Sequence, residues 1–333
     1  MRRRSLLELA SFAAGSGAMA SLWPGGVRAR PTSRSLPPAR PLARGSRLRA
    51  LNPGTWIEPE TDFNPLVQRC EAEGWILEIP EHVRGQWQWF SGTDAQRCQA
   101  LEEAWNDPTL DGVLYVGGGW GAARILEAGA RFPSRSFWSL GFSDSSALLL
   151  AQWRAGLLGA IHGSTGGPDE QWQRTVSLFK HEPTAPLQGR PLRSGSVQGP
   201  LVVTNLTVAT HLIGTRWLPS LKGVILILED VGEAPYRVDR MLTQWRSAGL
   251  LKDVAGVGCG RFSWQEDDIL PGDFSMAEIL EERLGDLGIP LVLDLPLGHG
   301  LPNQSLPVGA TAMLNGDEGT LGLIPMTSSL TLA

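Results

Sequence analysis

Gly112-Val113-Leu114-Tyr115-Val116 runs directly into Gly117-Gly118-Gly119-Trp120-Gly121. An apolar run closed by glycines reads as a buried strand, and the glycines as a loop that opens a helix near Ala122. The pattern then repeats. Phe137–Phe142 is a second strand, and the apolar helix Ser145–Ala155 follows Ser143. Upstream, Leu48–Leu51 is a strand that ends in the turn Asn52-Pro53-Gly54, and Asp62–Glu73 has helical spacing up to Gly74. Trp75–Ile79 is a further strand, and Thr93–Trp105 is an amphipathic helix that opens on a threonine cap. Strands alternating with helices at this spacing predict an α/β layer with a largely parallel sheet. Ligands of such sheets gather at the carboxyl ends of the strands, where both the glycine run and Ser143 fall.

The fold class is therefore α/β. A flavodoxin- or Rossmann-like parallel-sheet domain is expected over residues 48–165, and a segment rich in Gly, Pro and Gln over 166–200 reads as a crossover. A smaller α/β domain is expected from Leu201 onward. It holds a helix at Asn205–Ile213, the strongly apolar strand Gly223–Leu228 ending in Glu229-Asp230, and a helix at Tyr236–Ala248. Strands near Val254–Gly258 and Leu291–Leu293 follow, the latter leading to Leu297-Gly298-His299-Gly300. Asn-Gly and Glu-Gly pairs in the tail from Gln304 predict hairpins.

Composition narrows the function. At 333 residues, 42% hydrophobic and 19% charged, the chain is an ordinary globular one, with no apolar stretch of the ~18 residues that a membrane span needs. The three cysteines, Cys70, Cys98 and Cys259, are far apart and match neither a disulfide framework nor a metal-ligand spacing. Residues 1–49 carry a net charge of +9 and the remainder −14. So acidic a body is a poor partner for nucleic acid, whose phosphates require clustered cations. The positive charge reads as an address. Arg3-Arg4-Ser5-Leu6-Leu7 fits a twin-arginine signal, and Ala18-Met19-Ala20 and Val27-Arg28-Ala29 are small-residue cleavage patterns. Residues 1–30 are thus expected to direct export to the periplasm, with a cytoplasmic location as the alternative, and residues 31–47 to be a Pro- and Arg-rich linker.

A serine on a sharp strand-to-helix turn exposes its hydroxyl beside a free backbone N–H, the geometry of a nucleophile elbow. Gly141-Phe142-Ser143-Asp144 suits it, although Ser145 stands where G-x-S-x-G has its second glycine. Alone, the tetrapeptide is equally a helix cap. A nucleophilic serine needs a base, and the base an orienting carboxylate. Of the five histidines only His299 sits in a Gly-His-Gly turn after a buried strand, and Glu229 and Asp230 end the most apolar strand of the chain.

The segments Gly118–Gly121, Gly141–Asp144, Gly223–Asp230, Tyr236–Leu242 and Gly298-His299, in this order, resemble the LD-carboxypeptidase family of serine peptidases. That family includes murein tetrapeptide carboxypeptidases and microcin-C immunity peptidases, and the resemblance spans about residues 48–320. It implies Ser143 as nucleophile, His299 as general base and Glu229 as its partner. It also implies an oxyanion hole from the backbone N–H groups of Asp144 and Gly119. A murein peptide as substrate, no metal or cofactor, and a homodimer are further implications, with peptidyl-nucleotide cleavage or non-catalytic murein-peptide binding as alternatives. Departures from the family pattern are Gly117 before the Gly-Gly pair, His162-Gly163-Ser164, and Val203-Thr204 before Asn205. His162 reads as a structural histidine. Arg237 and Arg240 share a helical face after the Glu229 strand and read as ion-paired.

Overall fold

A computed structural model describes residues 37–264 and 272–325. The expected signal segment and the first part of the expected linker lie outside the described residues. In chain order the body contains β1 (Arg47–Leu51), α1 (Asn64–Ala72), β2 (Ile76–Glu78), α2 (Asp94–Asn106), β3 (Gly112–Tyr115) and α3 (Ala122–Glu127). β4 (Trp138–Gly141), α4 (Ser146–Arg154), β5 (Ala160–His162), α5 (Asp169–Phe179), β6 (Leu187–Gln188), β7 (Arg190–Arg193) and β8 (Ser196–Asn205) follow. The rest comprises α6 (Leu206–His211), β9 (Ile225–Val231), α7 (Pro235–Ser247), β10 (Gly256–Ser263), α8 (Met276–Leu284), β11 (Leu291–Leu293), β12 (Leu306–Pro307), β13 (Thr311–Asn315) and β14 (Thr320–Leu323).

Two sheets form. The first has the order β12-β5-β4-β3-β1-β2, parallel except for β12. The second has the order β6-β14-β13-β8-β9-β10-β11-β7, with β8, β9, β10 and β11 parallel and the outer strands antiparallel. The fold is thus the expected α/β arrangement. The second sheet also takes in β6, β7 and the start of β8 from the segment expected to be a crossover.

Between the sheets lies α4, the helix that starts at the elbow. Every residue from Ser146 to Gln152 is buried, as an all-round apolar helix requires. It packs on β5, β8 and α6. Leu148, Leu149 and Leu150 thereby join β8 and β9 residues such as Val202, Ile225 and Ile227 in one continuous core. A second cluster covers the far face of the first sheet, where Trp75, Trp172 and Phe179 lie against Leu48, Leu114 and Ile161.

Three boundaries differ from those expected. Ala39 and Leu42, within the expected linker, are buried. Leu42 N–H donates to Phe179 O at 2.9 Å, and Trp138 Nε1 donates to Arg40 O at 2.7 Å. Two apolar side chains and two hydrogen bonds suffice to anchor a stretch whose average composition is polar. Arg47, the last residue of the expected linker, likewise belongs to the fold, since it pairs with Glu78 on β2. The expected crossover contains α5, whose Trp172, Val176 and Phe179 belong to the first sheet's core. Finally, β12 leaves the second half of the chain to pair with β5, Leu306 opposite His162. The chain crosses between the sheets three times, after β5, after β11 and after β12, and the second crossing begins just after His299.

Candidate active site

β4 brings the chain to the elbow in an extended conformation, and Phe142 continues it at φ −150°. Ser143 then turns to φ +58°, a left-handed backbone that costs a non-glycine residue about 1 kcal/mol or more. The turn is tight. A Cβ on Gly141 would lie 2.7 Å from Tyr115 Cδ2 and 2.8 Å from Ser145 Cβ. Glycine at 141 leaves room for Ser145, which stands where G-x-S-x-G has its second glycine.

Glu229 and His299 come from the second sheet. Glu229 lies on β9 with no solvent exposure. A charge so placed is costly unless hydrogen-bonded. Its Oε2 meets His299 Nδ1 at 2.8 Å and the His299 backbone N–H at 3.2 Å. That approach requires glycine at 298, where a Cβ would come within 2.9 Å of Glu229 Cβ. On the opposite edge of the imidazole, His299 Nε2 is 3.2 Å from Ser143 Oγ. The structure therefore brings together Ser143, His299 and Glu229. A carboxylate can only accept, so Nδ1 carries the ring proton and Nε2 is left to face the serine hydroxyl.

The histidine loop is braced from three sides. Arg261 donates to the carbonyls of His299 (3.1 Å) and Leu301 (2.9 Å). Asn303 Oδ1 accepts from Gly298 N–H at 3.0 Å, and Asn303 N–H donates to Gln171 Oε1 on α5 at 2.8 Å. Further along, Ser305 Oγ lies 2.7 Å from Thr175 Oγ1. These bonds stitch the second crossing to α5. The third brace is aromatic, for the Phe142 ring lies 4.3 Å from the His299 ring and 5.3 Å from that of His162.

The glycine run sits across the elbow. A Cβ on Gly118 would be 3.8 Å from Ser143 Oγ. Thr55 fixes this loop, its N–H donating to Gly118 O at 2.9 Å and its hydroxyl accepting from Trp120 N–H at 3.1 Å. Gly119 has φ +80°, and a Cβ there would meet Thr55 Oγ1 at 2.2 Å, so no other residue fits. Thr55, Phe142, Asn303 and Gln171 carry no sequence signal of their own, because each acts through a partner remote in the chain.

His162 is fully buried beneath Phe142, and neither ring nitrogen has a protein partner. Burial pushes it down to about 4. Arg237 pairs with Glu233 at 3.7 Å, whereas Arg240 is exposed on α7. Among the described residues, no group of three or more His, Cys, Asp or Glu side chains could hold a metal ion, and no helix is long and apolar enough to cross a membrane.

A serine, an imidazole and a buried carboxylate in series at the carboxyl ends of parallel strands from two sheets form the arrangement that serine hydrolases use. Residues 50–163 match the LD-carboxypeptidase N-terminal domain and residues 198–314 the LD-carboxypeptidase C-terminal domain. A putative carboxypeptidase of Synechocystis sp. is 41% identical over 291 residues, covering 85% of this chain and 96% of that relative. The murein tetrapeptide carboxypeptidase of Pseudomonas aeruginosa is 33% identical over 76% of this chain and 88% of its own length. Among solved structures, a muramoyltetrapeptide carboxypeptidase from Oxalobacter formigenes superposes with a TM-score of 0.71 at 25% identity, covering 84% of this chain and 98% of that one. The microcin C7 self-immunity protein MccF, at 18% identity, shares the fold with a TM-score of 0.74 over 86% of this chain and 98% of its own. The chain belongs to the LD-carboxypeptidase family and is a serine-type peptidase, a hydrolase.

The state of His162 has a consequence for stability. Its unfolded counterpart takes up a proton near pH 6.5, while the folded side chain stays neutral down to about 4. Between those values the unfolded chain binds more protons, so this group's contribution is whole above pH 6.5 and is lost as pH falls. It should remove about 2 kcal/mol between pH 7 and 4.5. Urea unfolding of His162→Gln at the two pH values should show a difference smaller than wild type by that amount. An unchanged difference would place the charged form in the fold.

Proposed function

We propose that the chain is a carboxypeptidase that removes the C-terminal D-alanine from murein-derived tetrapeptides through an acyl-enzyme on Ser143. The observation that carries this reading is His299, in hydrogen-bond reach of Glu229 on one ring edge and of Ser143 on the other. His299 Nε2 takes the hydroxyl proton as Ser143 Oγ attacks the terminal peptide carbonyl, and Glu229 stabilises the imidazolium that results. His299 then gives that proton to the departing D-alanine nitrogen. Water, deprotonated by the same imidazole, releases the shortened peptide.

The oxyanion is assigned to the backbone N–H groups of Asp144 and Gly119. Peptide planarity supports the second donor. Gly118 O points at Thr55 N–H, and the Gly119 N–H, trans to it across the same peptide, points the opposite way. Each such donor is worth about 3–4 kcal/mol in the transition state. The substrate assignment rests on relatives named for murein tetrapeptides and for murein peptides. For location, the reading is export by the twin-arginine pattern at Arg3-Arg4.

Incubated with murein tetrapeptide, the mature protein should release D-alanine, detected by mass spectrometry. Ser143→Ala should lose at least about 10⁴-fold in kcat. Release that persists in the variant would remove Ser143 from its role. A reporter fused to residues 1–30 should stay inside cells that lack the twin-arginine translocon, and unchanged export there would exclude that route.

A further inference from the structure

Asp144 has a side chain as well as a backbone N–H, and that side chain is buried at the glycine loop. Its Oδ2 accepts from Ala122 N–H at 2.8 Å, and the Gly121 N–H faces the same carboxyl. The other oxygen, Oδ1, has no protein partner. Burial raises this carboxyl to about 6, against the opposing pull of the two N–H groups and of Arg97.

Arg97, only 4% exposed, approaches the same glycine from α2. Its guanidinium donates to Gly121 O at 3.0 Å, to Gly92 O at 3.1 Å and to Pro53 O. Asp94 pairs with it and also binds Arg124. The Phe90 ring lies under both guanidinium groups, at 4.5 and 5.0 Å. The peptide that joins Gly121 to Ala122 is thus gripped at its N–H by a carboxylate and at its carbonyl by a guanidinium. The φ of +137° at Gly121 admits no ordinary side chain, and a Cβ would fall 2.5 Å from Arg97 Nη1.

We propose that Asp144 and Arg97 form a clamp that sets the glycine loop at the distance from Ser143 needed to stabilise the oxyanion. This deepens the serine-peptidase reading above and rests on it. Asp144 then acts twice, its main chain toward the developing charge and its side chain on the loop that supplies the second donor. A loop with four glycines in five residues has almost no packing of its own, so its position must be imposed from outside. A hydrogen-bond donor lowers a barrier only if it already stands where the charge develops. A carboxyl buried with one oxygen unpartnered is a poor way to stabilise a fold. Capping α3 would be small recompense, since that helix has only six residues. Arg97 and Asp144 are therefore positioning residues for the reaction.

The test compares wild type, Ser143→Ala, Asp144→Asn and Arg97→Lys in two assays, with folding checked by circular dichroism and melting. One assay follows steady-state D-alanine release from murein tetrapeptide. The other follows phosphonylation by an alkyl fluorophosphonate, in which the Ser143 Oγ–P bond forms, the P–F bond breaks, fluoride departs and His299 takes the serine proton. Asp144→Asn keeps the size but not the charge. Arg97→Lys keeps the charge but replaces a three-way fork by a single ammonium. Both variants should lose about 10–100-fold in kcat and in phosphonylation rate, with KM within about threefold of wild type. A folded variant that phosphonylates at the wild-type rate, or that loses only KM, would overturn the clamp. Absence of any label on wild-type Ser143 would instead overturn the serine-peptidase reading beneath it.

Discussion

The Glu229 carboxylate, sealed at the end of β9, is the constraint around which the rest of the molecule is arranged. The preceding four residues of that strand, Ile225 to Leu228, are fully buried between β8 and β10. A charge delivered to that depth would cost several kcal/mol without partners. His299 supplies two to one oxygen, through Nδ1 and its own backbone N–H, while Glu229 Oε1 has no protein partner. The carboxylate thereby dictates the course of the loop after β11. Gly298 must lack a side chain for the loop to pass, and the imidazole must present Nε2 outward.

What lies outward is Ser143, carried by the other sheet. A 3.2 Å separation between groups on different sheets tolerates little relative movement of those sheets. Two features hold them. α4 is buried on all sides between the sheets and merges their cores, so packing density itself fixes the spacing. The chain after His299 then returns to the first sheet, binding α5 through Asn303 and Ser305 and pairing with β5 at Leu306. The loop that carries the imidazole is thus tied at one end to the sheet of its carboxylate and at the other to the sheet of its serine.

Much of this was legible in the sequence, and the reason is physical. Strand ends are marked by apolar runs that stop at glycine, and the serine, the glutamate and the histidine each stand at such an end. The elements around Gly112, Phe137 and Leu291 therefore fall close to where periodicity places them. What the sequence conceals is tertiary. Arg97 meets Gly121, Asn303 meets Gln171 and Phe142 meets His299 across long stretches of chain, and local periodicity carries no record of such pairings. Ala39 and Leu42 were hidden by the polar average of their surroundings, and α5 by the glycine- and proline-rich segments on either side of it.

Catalysis at Ser143 depends on which nitrogen of His299 carries the proton. Histidine-selective ¹⁵N labelling, with wild type compared to His299→Gln for assignment, reports the tautomer directly at a pH where the ring is neutral. The wild-type ring should carry its proton on Nδ1, bound to Glu229, with Nε2 bare, and the two tautomers should mix in Glu229→Gln. A proton on Nε2 in the wild-type enzyme would leave Ser143 without an acceptor and contradict the role of His299 as its base.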